Sequence, residues 1–466
     1  MTRTAAAAPT GWRALLGPRY LGASTVLAGG VALYATNEFL TISLLPSAVA
    51  EIGGQRYYAW VTTVYLVASV VMATTVSATL SRLGPRWSYL TGLGVFAAGS
   101  AVCMLAPTME VLLAGRMVQG AAGGLLAGLG YAVINSVLPQ SLWTRASALV
   151  SAMWGVGTIL GPASGGLFAQ YASWRWAFAA LAVLTVLVAV VVPFALPGRT
   201  GGRAAAETVS RVPVWSLLLL GSAALTISVA GIVRNAALTA GLLALGVALV
   251  GAFLIVDRRA SATVLPAGAF RPGPLKWIYL TLGLLMAATM VDMYVPLFGQ
   301  RLAGLAPVAA GFLAVALSIG WTVSEISSAS LSSERLVARL VAGTPLIMAV
   351  GLTIAAVSQV DGAGVGVVGV WVVALFITGI GVGTAWPHLS AWAMGSAEDP
   401  VEGRTAAAAI STVQLICGAF GAGLAGVVVN ATERGDATAA RWLFGSFAVL
   451  AVVGLVASSR AARGRV

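Results

Sequence analysis

Long apolar runs recur along almost the whole of this 466-residue chain, with only short polar breaks between them. Each run has roughly 18 to 30 residues, the length that a helix needs to cross a hydrocarbon core of ~30 Å. Only 9% of the residues are charged, whereas a soluble domain has about 25%. The sequence therefore predicts an all-α polytopic membrane protein with fourteen transmembrane helices. The predicted spans are 21–49, 58–80, 88–106, 110–137, 146–170, 175–196, 213–233, 236–256, 276–298, 306–329, 338–358, 364–394, 405–430 and 441–459.

The net charge of the chain is +12, from 26 basic and 14 acidic residues. Basic residues concentrate in the cytoplasmic loops of membrane proteins. When the N-terminus is placed in the cytoplasm, 19 of the 26 basic residues lie in cytoplasmic segments, six lie outside and Arg116 lies within a span. This asymmetry predicts that both termini are cytoplasmic. It also explains the net charge by membrane topology, so we expect no nucleic-acid partner.

The small supply of reactive side chains excludes several kinds of site. Cys103 and Cys417 both lie in apolar runs and the chain has one histidine, which argues against a disulfide framework and a zinc site with several ligands. The only lysine, Lys276, is not part of a GxxxxGK[ST] phosphate-binding loop. The longest loops, near 197–212 and 257–275, are too short for a folded ATPase domain. We therefore expect no cofactor, and an ion gradient as the source of energy.

A weak internal repeat divides the chain. The second span ends in S-A-T-L-S at Ser77–Ser81, and the tenth ends in S-A-S-L-S at Ser328–Ser332. Each copy precedes a basic loop, which is consistent with repeated halves of a transporter. The repeat predicts two six-helix halves, 1–200 and 270–466, with spans seven and eight interposed as a lipid-facing hairpin at 205–262.

Arg116 lies about six residues inside the fourth span. A charged side chain at that depth costs several kcal/mol unless it contacts a partner or water, so an intramembrane arginine usually has a function. Gln119 and Gly123, three and seven residues later, extend a helix face unsuited to lipid. The alternative is an arginine whose side chain reaches the outer interface.

Three glycines spaced four residues apart, Gly157, Gly161 and Gly165, follow one face of the fifth span. Such a stripe forms a groove in which another helix can approach closely. Pro162, within the stripe, has no amide hydrogen and bends the helix. The spacing predicts a close helix–helix contact along this part of the span.

Five stretches, spread over most of the chain, match the motifs of one transporter family. Leu112–Gly120 has the form L-x-x-x-R-x-x-Q-G, and Gly157–Gly166 has the form G-x-x-x-G-P-x-x-G-G. The runs Trp60–Tyr65 and Trp174–Phe178, together with Gln414, also match. The chain thus resembles the major facilitator superfamily, in particular its fourteen-span drug:proton antiporter branch. The resemblance implies two halves that rock about a central cavity and export amphipathic small molecules, including drugs, in exchange for protons.

The loop between spans two and three departs from the family pattern. Ser77–Arg86 keeps Arg82, Gly84 and Arg86 but has Ser81 where the family has an acidic residue. An inner latch between the halves that depends on that charge is therefore expected to be weakened.

Span one departs from the pattern as well. Asn37 occupies the family's acidic position, and Glu38 follows it. A shift of one residue rotates a side chain by ~100° around a helix. The role of the family's acid therefore does not pass directly to Glu38.

Three acids fall within predicted spans, at different depths. Measured from the predicted outer ends of their spans, Glu38 lies ~18 Å deep and Asp292 ~9 Å deep, with Arg116 near the depth of Asp292. The sequence thus places them in different layers. We predict that Glu38 is the principal proton carrier, that Arg116 modulates it, and that Asp292 is a second carrier or the partner of Arg116. Glu325 is interpreted as a cytoplasmic-side residue, and His388 as either a packing residue or a proton relay.

Polar side chains follow spans two and five at helical spacing, as Tyr58, Thr62, Tyr65 and Ser69 and as Ser147, Ser151, Trp154 and Thr158. Such stripes line either a cavity or a helix interface bonded through hydroxyl groups. Taken as cavity residues, with further polar residues of other spans, they give a predicted substrate site. Its members are Asn37, Tyr58, Thr62, Tyr65, Gln119, Ser151, Trp154, Thr158, Tyr294 and Gln414.

The sequence is thus interpreted as a monomeric, proton-coupled exporter of the bacterial cytoplasmic membrane and not as an enzyme. Its partners would be amphipathic small molecules, protons and the lipid bilayer. A transporter of the same fold for a lipid, siderophore or metabolite is one alternative, and a sensor or scaffold without transport is another. A membrane-embedded enzyme is a weaker one, since no nucleophile with a histidine partner is evident.

Overall fold

A computed structural model describes residues 12–198, 212–329, 331, 333–395, 400–432 and 435–463. None of these residues lies in a β-strand, which agrees with the predicted all-α class. Short helical turns connect fourteen long helical segments. They are α1 Leu21–Ile52, α2 Tyr58–Ala73, α3 Val76–Met104, α4 Met109–Ala132, α5 Trp143–Tyr171, α6 Trp174–Ala195, α7 Val214–Ile232, α8 Ala236–Arg259, α9 Leu275–Ala303, α10 Pro307–Ala329, α11 Glu334–Val357, α12 Val365–Gly395, α13 Pro400–Asn430 and α14 Asp436–Ala462.

Eleven helices in the described part of the chain are long and apolar enough to cross a membrane. The chain is therefore a multi-pass membrane protein. Of the fourteen predicted spans, those of α1, α2 and α5 are helical but are not among the eleven. With 16 residues, α2 is only ~24 Å long. The count of fourteen spans stays a prediction.

The predicted loop between spans two and three is a kink within α3. Gly84 has φ 75° and ψ 171°, a conformation that a side chain would disfavour, and Pro85 follows it. Beyond the kink, Arg86 Nε donates a hydrogen bond of 3.1 Å to the carbonyl of Leu196, which follows α6. Arg82 is exposed. In this structure Arg86 therefore joins two helices of the first half.

Helices α1–α6 pack mainly on one another, and so do α9–α14. The two groups meet chiefly through two pairs of helices, α5 with α10 and α2 with α13. Between the groups in the sequence, α7 packs against α2 and α13, and α8 packs against α7. The division into two halves and an interposed hairpin remains a prediction that this packing supports.

The two helices of the hairpin differ in their surroundings. In the apolar core of α7, 56% of the residues are buried, against 11% for α8. Ser228 of α7 accepts a hydrogen bond of 2.9 Å from Trp60 Nε1 through its carbonyl, and its hydroxyl donates one of 3.2 Å to Thr63. Most of α8 is therefore exposed, whereas α7 packs closely on its neighbours through hydroxyl and glycine residues and is not peripheral. A lipid-facing position of the hairpin stays a prediction.

Candidate transport site

One cavity of about 580 Å³ lies between the helix groups α1–α6 and α9–α14, which are called the first and second half below. It extends to the end of the bundle where α1 begins and α14 ends, called the terminal end below; the opposite end is the distal end. Tyr131, near the end of α4, and Ser411, eleven residues after the first residue of α13, are exposed in its wall. Both halves supply polar and aromatic side chains, which include Tyr34, Glu38, Trp154, Thr158, Asp292, Trp321, Glu325, Trp386 and Gln414.

Polar contacts between the halves close the distal end. Arg301 donates a hydrogen bond of 2.5 Å to the side-chain oxygen of Gln55 and one of 3.0 Å to Asp436. Asn430 Nδ2 donates one of 2.9 Å to the carbonyl of Arg56. Gln55 and Arg56 belong to the first half, whereas the other three residues belong to the second. The cavity is therefore open at the terminal end and closed at the distal end.

The glycine stripe of α5 makes the close contact that its spacing predicts, and the partner is α1. A Cβ atom on Gly157 would lie 2.6 Å from that of Ala35, and one on Gly161 would lie 2.5 Å from that of Phe39. Gly165 contacts the carbonyl of Leu40. These distances leave no space for a side chain. A role of the stripe in conformational change stays a prediction.

The end of the same motif contacts the other half. A Cβ atom on Gly166 would lie 2.6 Å from the Cα of Val308 in α10. Pro162 accepts, through its carbonyl, a hydrogen bond of 3.2 Å from the hydroxyl of Ser43, and Gly311 of α10 packs on that hydroxyl. The motif thus lies where α1, α5 and α10 meet, on the distal side of the cavity.

Glu38 and Asp292, one from each half, line the same cavity. Their predicted difference in depth is smaller in the structure, because α9 continues to Ala303 and α1 to Ile52. Counted from those ends, Asp292 is ~16 Å deep and Glu38 ~21 Å deep. One carboxylate oxygen of each is buried without a hydrogen-bond partner among the described residues. Two carboxylates therefore have unused binding capacity in the centre of the molecule.

Asp292 owes its position to an interruption of α9. The helix is α-helical over Leu275–Thr289, changes to a 3₁₀-helix at Met290–Tyr294 and resumes at Val295. A 3₁₀ turn within a helix changes the direction of its side chains and often occurs at functional sites. The sequence predicts the acid in the span but not this turn.

Arg116 is buried in the interior of the first half, with 1% of its surface exposed. Its Nη1 donates a hydrogen bond of 3.0 Å to Gln119, whose amide nitrogen donates one of 2.9 Å to Ser100. Its Nε lies 3.4 Å from the carbonyl of Val61, and its guanidinium lies 4.1 Å from the ring centre of Tyr65. No carboxylate in the described ranges forms an ion pair with it. The alternative of a side chain that reaches the interface is wrong, and the predicted pairing with Asp292 is not formed.

An aromatic stack separates Arg116 from the cavity. The ring of Tyr65 stacks on that of Tyr34 at 5.5 Å, and Tyr34 meets Trp154 edge-on at 5.4 Å. Tyr34 and Trp154 line the cavity, whereas Tyr65 does not. Arg116 is therefore one aromatic layer behind the cavity wall.

The predicted substrate residues fall into three groups. Trp154, Thr158 and Gln414 line the cavity, as predicted. The side chain of Ser151 lies outside the described residues. The remainder are buried at helix interfaces or in the distal closure, which differs from the expectation: Asn37, Tyr58, Thr62, Tyr65, Gln119 and Tyr294.

Two contacts explain why the α2 stripe does not reach the cavity. The Ser69 hydroxyl donates a hydrogen bond of 2.9 Å to the carbonyl of Gly120 in α4, so this face packs on another helix. Tyr58 stacks on Tyr294 of the second half at 4.8 Å and so forms part of the distal closure. The alternative of a helix interface is therefore correct for α2.

Glu325 belongs to the cavity wall, in addition to its expected place near the terminal end. Trp321, one turn earlier, donates a hydrogen bond of 2.9 Å from its indole nitrogen to Glu325, and its ring lies 5.3 Å from that of Trp386. The spacing of four residues between Trp321 and Glu325, which places them on one helix face, is the sequence signal for this pair. His388 Nε2 lies 3.1 Å from the carbonyl of Ser328, so this residue joins α12 to α10.

Comparisons with known proteins agree with this architecture. The model of the Major Facilitator Superfamily matches residues 27–426. The chain is 60% identical over 464 residues to a probable multidrug-efflux transporter of Mycobacterium tuberculosis H37Rv, a match that covers 99% of this chain and 98% of the relative. It is 25% identical over 394 residues to the multidrug transporter protein MdtP of Bacillus subtilis, which covers 83% of this chain and 71% of the relative.

Solved structures with the same fold are distant in sequence. A bacterial homolog of the human lysosomal transporter Spinster, in an inward-facing and occupied conformation, gives a TM-score of 0.68 at 12% identity, over 96% of this chain and 97% of that one. A D-xylose–proton symporter gives 0.62 at 14% identity, over 93% and 96%. These likenesses show the fold alone. The family match over most of the chain and the 60% identity to a full-length relative show that the chain belongs to the Major Facilitator Superfamily and is a transporter, not an enzyme.

Proposed function

We propose that this protein exports amphipathic, positively charged small molecules across the bacterial cytoplasmic membrane in exchange for protons. The observation that carries the proposal is the composition of the cavity wall. Three carboxylates line it, from Glu38, Asp292 and Glu325, beside several aromatic rings, and none of the described lining residues is basic. Carboxylates and aromatic faces both attract a cation with an apolar body.

The unpaired carboxylates give a reason for exchange. A charged carboxylate in a poorly hydrated space is costly unless a positive charge compensates it. A substrate cation and a proton can each supply that compensation, so the two compete for the same oxygens of Glu38 and Asp292. We assign Glu38 as the principal carrier, with Asp292 as the second. Arg116 modulates Glu38 from behind the aromatic layer.

The orientation follows from the charge distribution. Basic residues on the terminal side favour placing that side in the cytoplasm. The cavity is then open to the cytoplasm, which is the state that loads a substrate for export. The similarity to a probable multidrug-efflux transporter supports the same direction.

One proton moved through 100 mV supplies ~2.3 kcal/mol, enough for a roughly fifty-fold concentration gradient of the substrate. We propose a monomer as the working unit.

The hairpin α7–α8 supplies none of the described residues that line the cavity. We propose that it is an addition to two six-helix halves and that transport does not need it. A variant in which a short linker replaces residues 205–262 is expected to retain dye transport when it folds. A folded variant without any transport would contradict this part of the proposal, because the contacts of α7 with α2 would then be needed.

Everted vesicles test the central proposal. Uptake of ethidium is expected only with an imposed pH gradient and is expected to stop with an uncoupler. The matched control carries Glu38→Gln and Asp292→Asn together. These substitutions keep the size of both side chains but prevent them from binding and releasing a proton. Dye uptake without a gradient, or equal uptake in the control, would exclude proton exchange at these residues. Transport of a neutral lipid or metabolite instead would replace the proposed substrate class.

A further inference from the structure

A second concave site lies at the terminal end, outside the transport cavity. A pocket of about 400 Å³ is present where α9 begins and α14 ends. These two helices pack against each other, and Leu284 of α9 approaches Gly454 of α14. The pocket wall consists of Gly273, Pro274, Lys276, Trp277, Arg460 and Arg463.

Two positively charged side chains of this pocket lie close to one aromatic ring. The guanidinium of Arg460 lies 4.5 Å from the ring centre of Trp277, and Nζ of Lys276 lies 5.5 Å from it. Arg463 adds a third positive charge. Within the described chain, none of the three forms an ion pair, and no acidic residue belongs to the wall. Like charges this close repel one another, so an anion that binds here lowers the energy of the cluster.

The cationic pocket continues into an apolar surface. Leu280, one turn beyond Lys276 on α9, is 46% exposed, and Val456, one turn before Arg460 on α14, is 56% exposed. Both side chains lie toward the membrane interior from the pocket. The same two helices therefore present a site for negative charge at their ends and a site for hydrocarbon immediately below it.

We propose that this pocket binds the phosphate headgroup of an anionic phospholipid, with the acyl chains lying along α9 and α14. Basic pockets between helices at the cytoplasmic face recognise such headgroups, and a tryptophan ring suits the headgroup level. The positive end of the α9 dipole acts in the same direction. A free phosphate ion is also negatively charged, but it makes no apolar contact with the surface formed by Leu280 and Val456. The site does not depend on the proposed transport reaction.

Thermal unfolding of the purified full-length protein in an uncharged detergent tests the proposal. Phosphatidylglycerol or phosphatidylcholine is added at increasing mole fraction, and Tm is measured. The pocket variant carries Lys276→Gln, Arg460→Gln and Arg463→Gln. The control carries Arg13→Gln, Arg258→Gln and Arg259→Gln, which removes the same charge at the same end outside the pocket.

Phosphatidylglycerol is expected to raise Tm of the wild type and the control at the same mole fraction, and phosphatidylcholine to have no effect. The pocket variant is expected to need roughly tenfold more phosphatidylglycerol. Lys276→Arg keeps the charge and is expected to behave as the wild type. Arg463→Gln alone, at an exposed position, is expected to show a partial loss even when the triple variant does not fold.

Three outcomes would overturn the proposal. Inorganic phosphate that raises Tm as phosphatidylglycerol does would indicate a site for a free anion. An equal loss in the pocket variant and the control would indicate diffuse attraction to the whole terminal face. An unchanged response in the pocket variant and in Arg463→Gln would show that the lipid binds elsewhere.

Discussion

The two ends of the interface between the halves are built differently. At the distal end, small groups and backbone meet, as at Gly166 with Val308 and at Gly311 with Ser43. At the terminal end, a cavity with aromatic and carboxylate side chains separates the halves. Closure of the distal end therefore depends on shape, whereas the function of the cavity depends on charge. Substitutions at the two ends are expected to fail in different ways.

The largest effect is expected from removing the charge at the centre of the cavity. Glu38→Gln keeps the shape but cannot release a proton, so proton-coupled uphill efflux is expected to be abolished, while weakened substrate binding remains through Asp292, Glu325 and the aromatic rings. Asp292→Asn is expected to impair efflux less. Dye efflux from vesicles with an imposed pH gradient measures coupling, and dye anisotropy measures binding. Normal coupling in Glu38→Gln together with lost coupling in Asp292→Asn would assign the carrier to the second half.

How much the sequence predicts differs between these two ends. The glycine contact at the distal end follows from spacing alone, because a stripe without side chains has one obvious use, and only the partner helix α1 had to come from the structure. For the cavity, helical periodicity predicts which face of each helix is polar. It does not predict whether that face contacts the cavity or another helix. The stripes of α2 and α5 look alike, yet Ser69 meets another helix and Thr158 meets the cavity.

The sequence also predicts poorly how deep a residue lies within the membrane. Apolar runs do not mark the ends of helices that extend beyond the hydrocarbon, so α9 ends five residues later than predicted. Asp292 is therefore deeper than predicted, and it lines one cavity with Glu38. Its nearness to the end of span ten predicts Glu325 at the terminal side, whereas its place in the cavity wall follows only from the structure.

The next largest effect is expected from adding volume to the contact between α1 and α5. Gly161→Leu places a side chain where Phe39 already lies, and overpacking of this kind costs ~1–3 kcal/mol. Transport is expected to fall by roughly tenfold, with normal insertion into the membrane. Gly251→Leu on α8, where a Cβ atom meets nothing within 4 Å, is the control and is expected to transport normally. Pro162→Ala is expected to reduce transport as well, and wild-type rates in both α5 variants would contradict a role for this contact.

A smaller and selective effect is expected at the mouth of the cavity. Glu325→Gln keeps a partner for the Trp321 indole but removes the negative charge. The affinity for a cationic dye is expected to fall by roughly threefold, since partly exposed electrostatic contacts of this kind are each worth ~1 kcal/mol or less. The affinity for an uncharged dye is expected to stay the same. Glu334→Gln, an exposed acid at the same end outside the cavity wall, is the control. An equal loss for both dyes would mean that Glu325 acts through packing.

The smallest effect is expected at the rim of the distal end, where Arg301 of the second half donates a hydrogen bond to Gln55 of the first half. Arg301 and Asp436 are 38% and 40% exposed, so their ion pair within the second half, which holds Arg301 beside Gln55, contributes ~1 kcal/mol or less. Arg301→Gln removes this pair and the contact with Gln55, and it is expected to raise the population of the distal-open state only two- to fivefold. Alkylation of Ala59→Cys, which is buried against Gly426 when the distal end is closed, reports that population in a background without Cys103 and Cys417.

Arg175→Gln provides the matched comparison for this last experiment. Arg175 also forms an ion pair at the distal end, with Glu51, but its other contacts, with Ala106 and Trp174, also lie within the first half, so it makes no contact like that of Arg301 with Gln55. If the polar contacts act by joining the halves, alkylation accelerates in Arg301→Gln and not in Arg175→Gln. Equal acceleration in both would show that loss of any rim charge loosens the end. Acceleration much above fivefold in Arg301→Gln alone would show that the distal closure depends on the contact of Arg301 with Gln55 more than on the packing of α5 against α10.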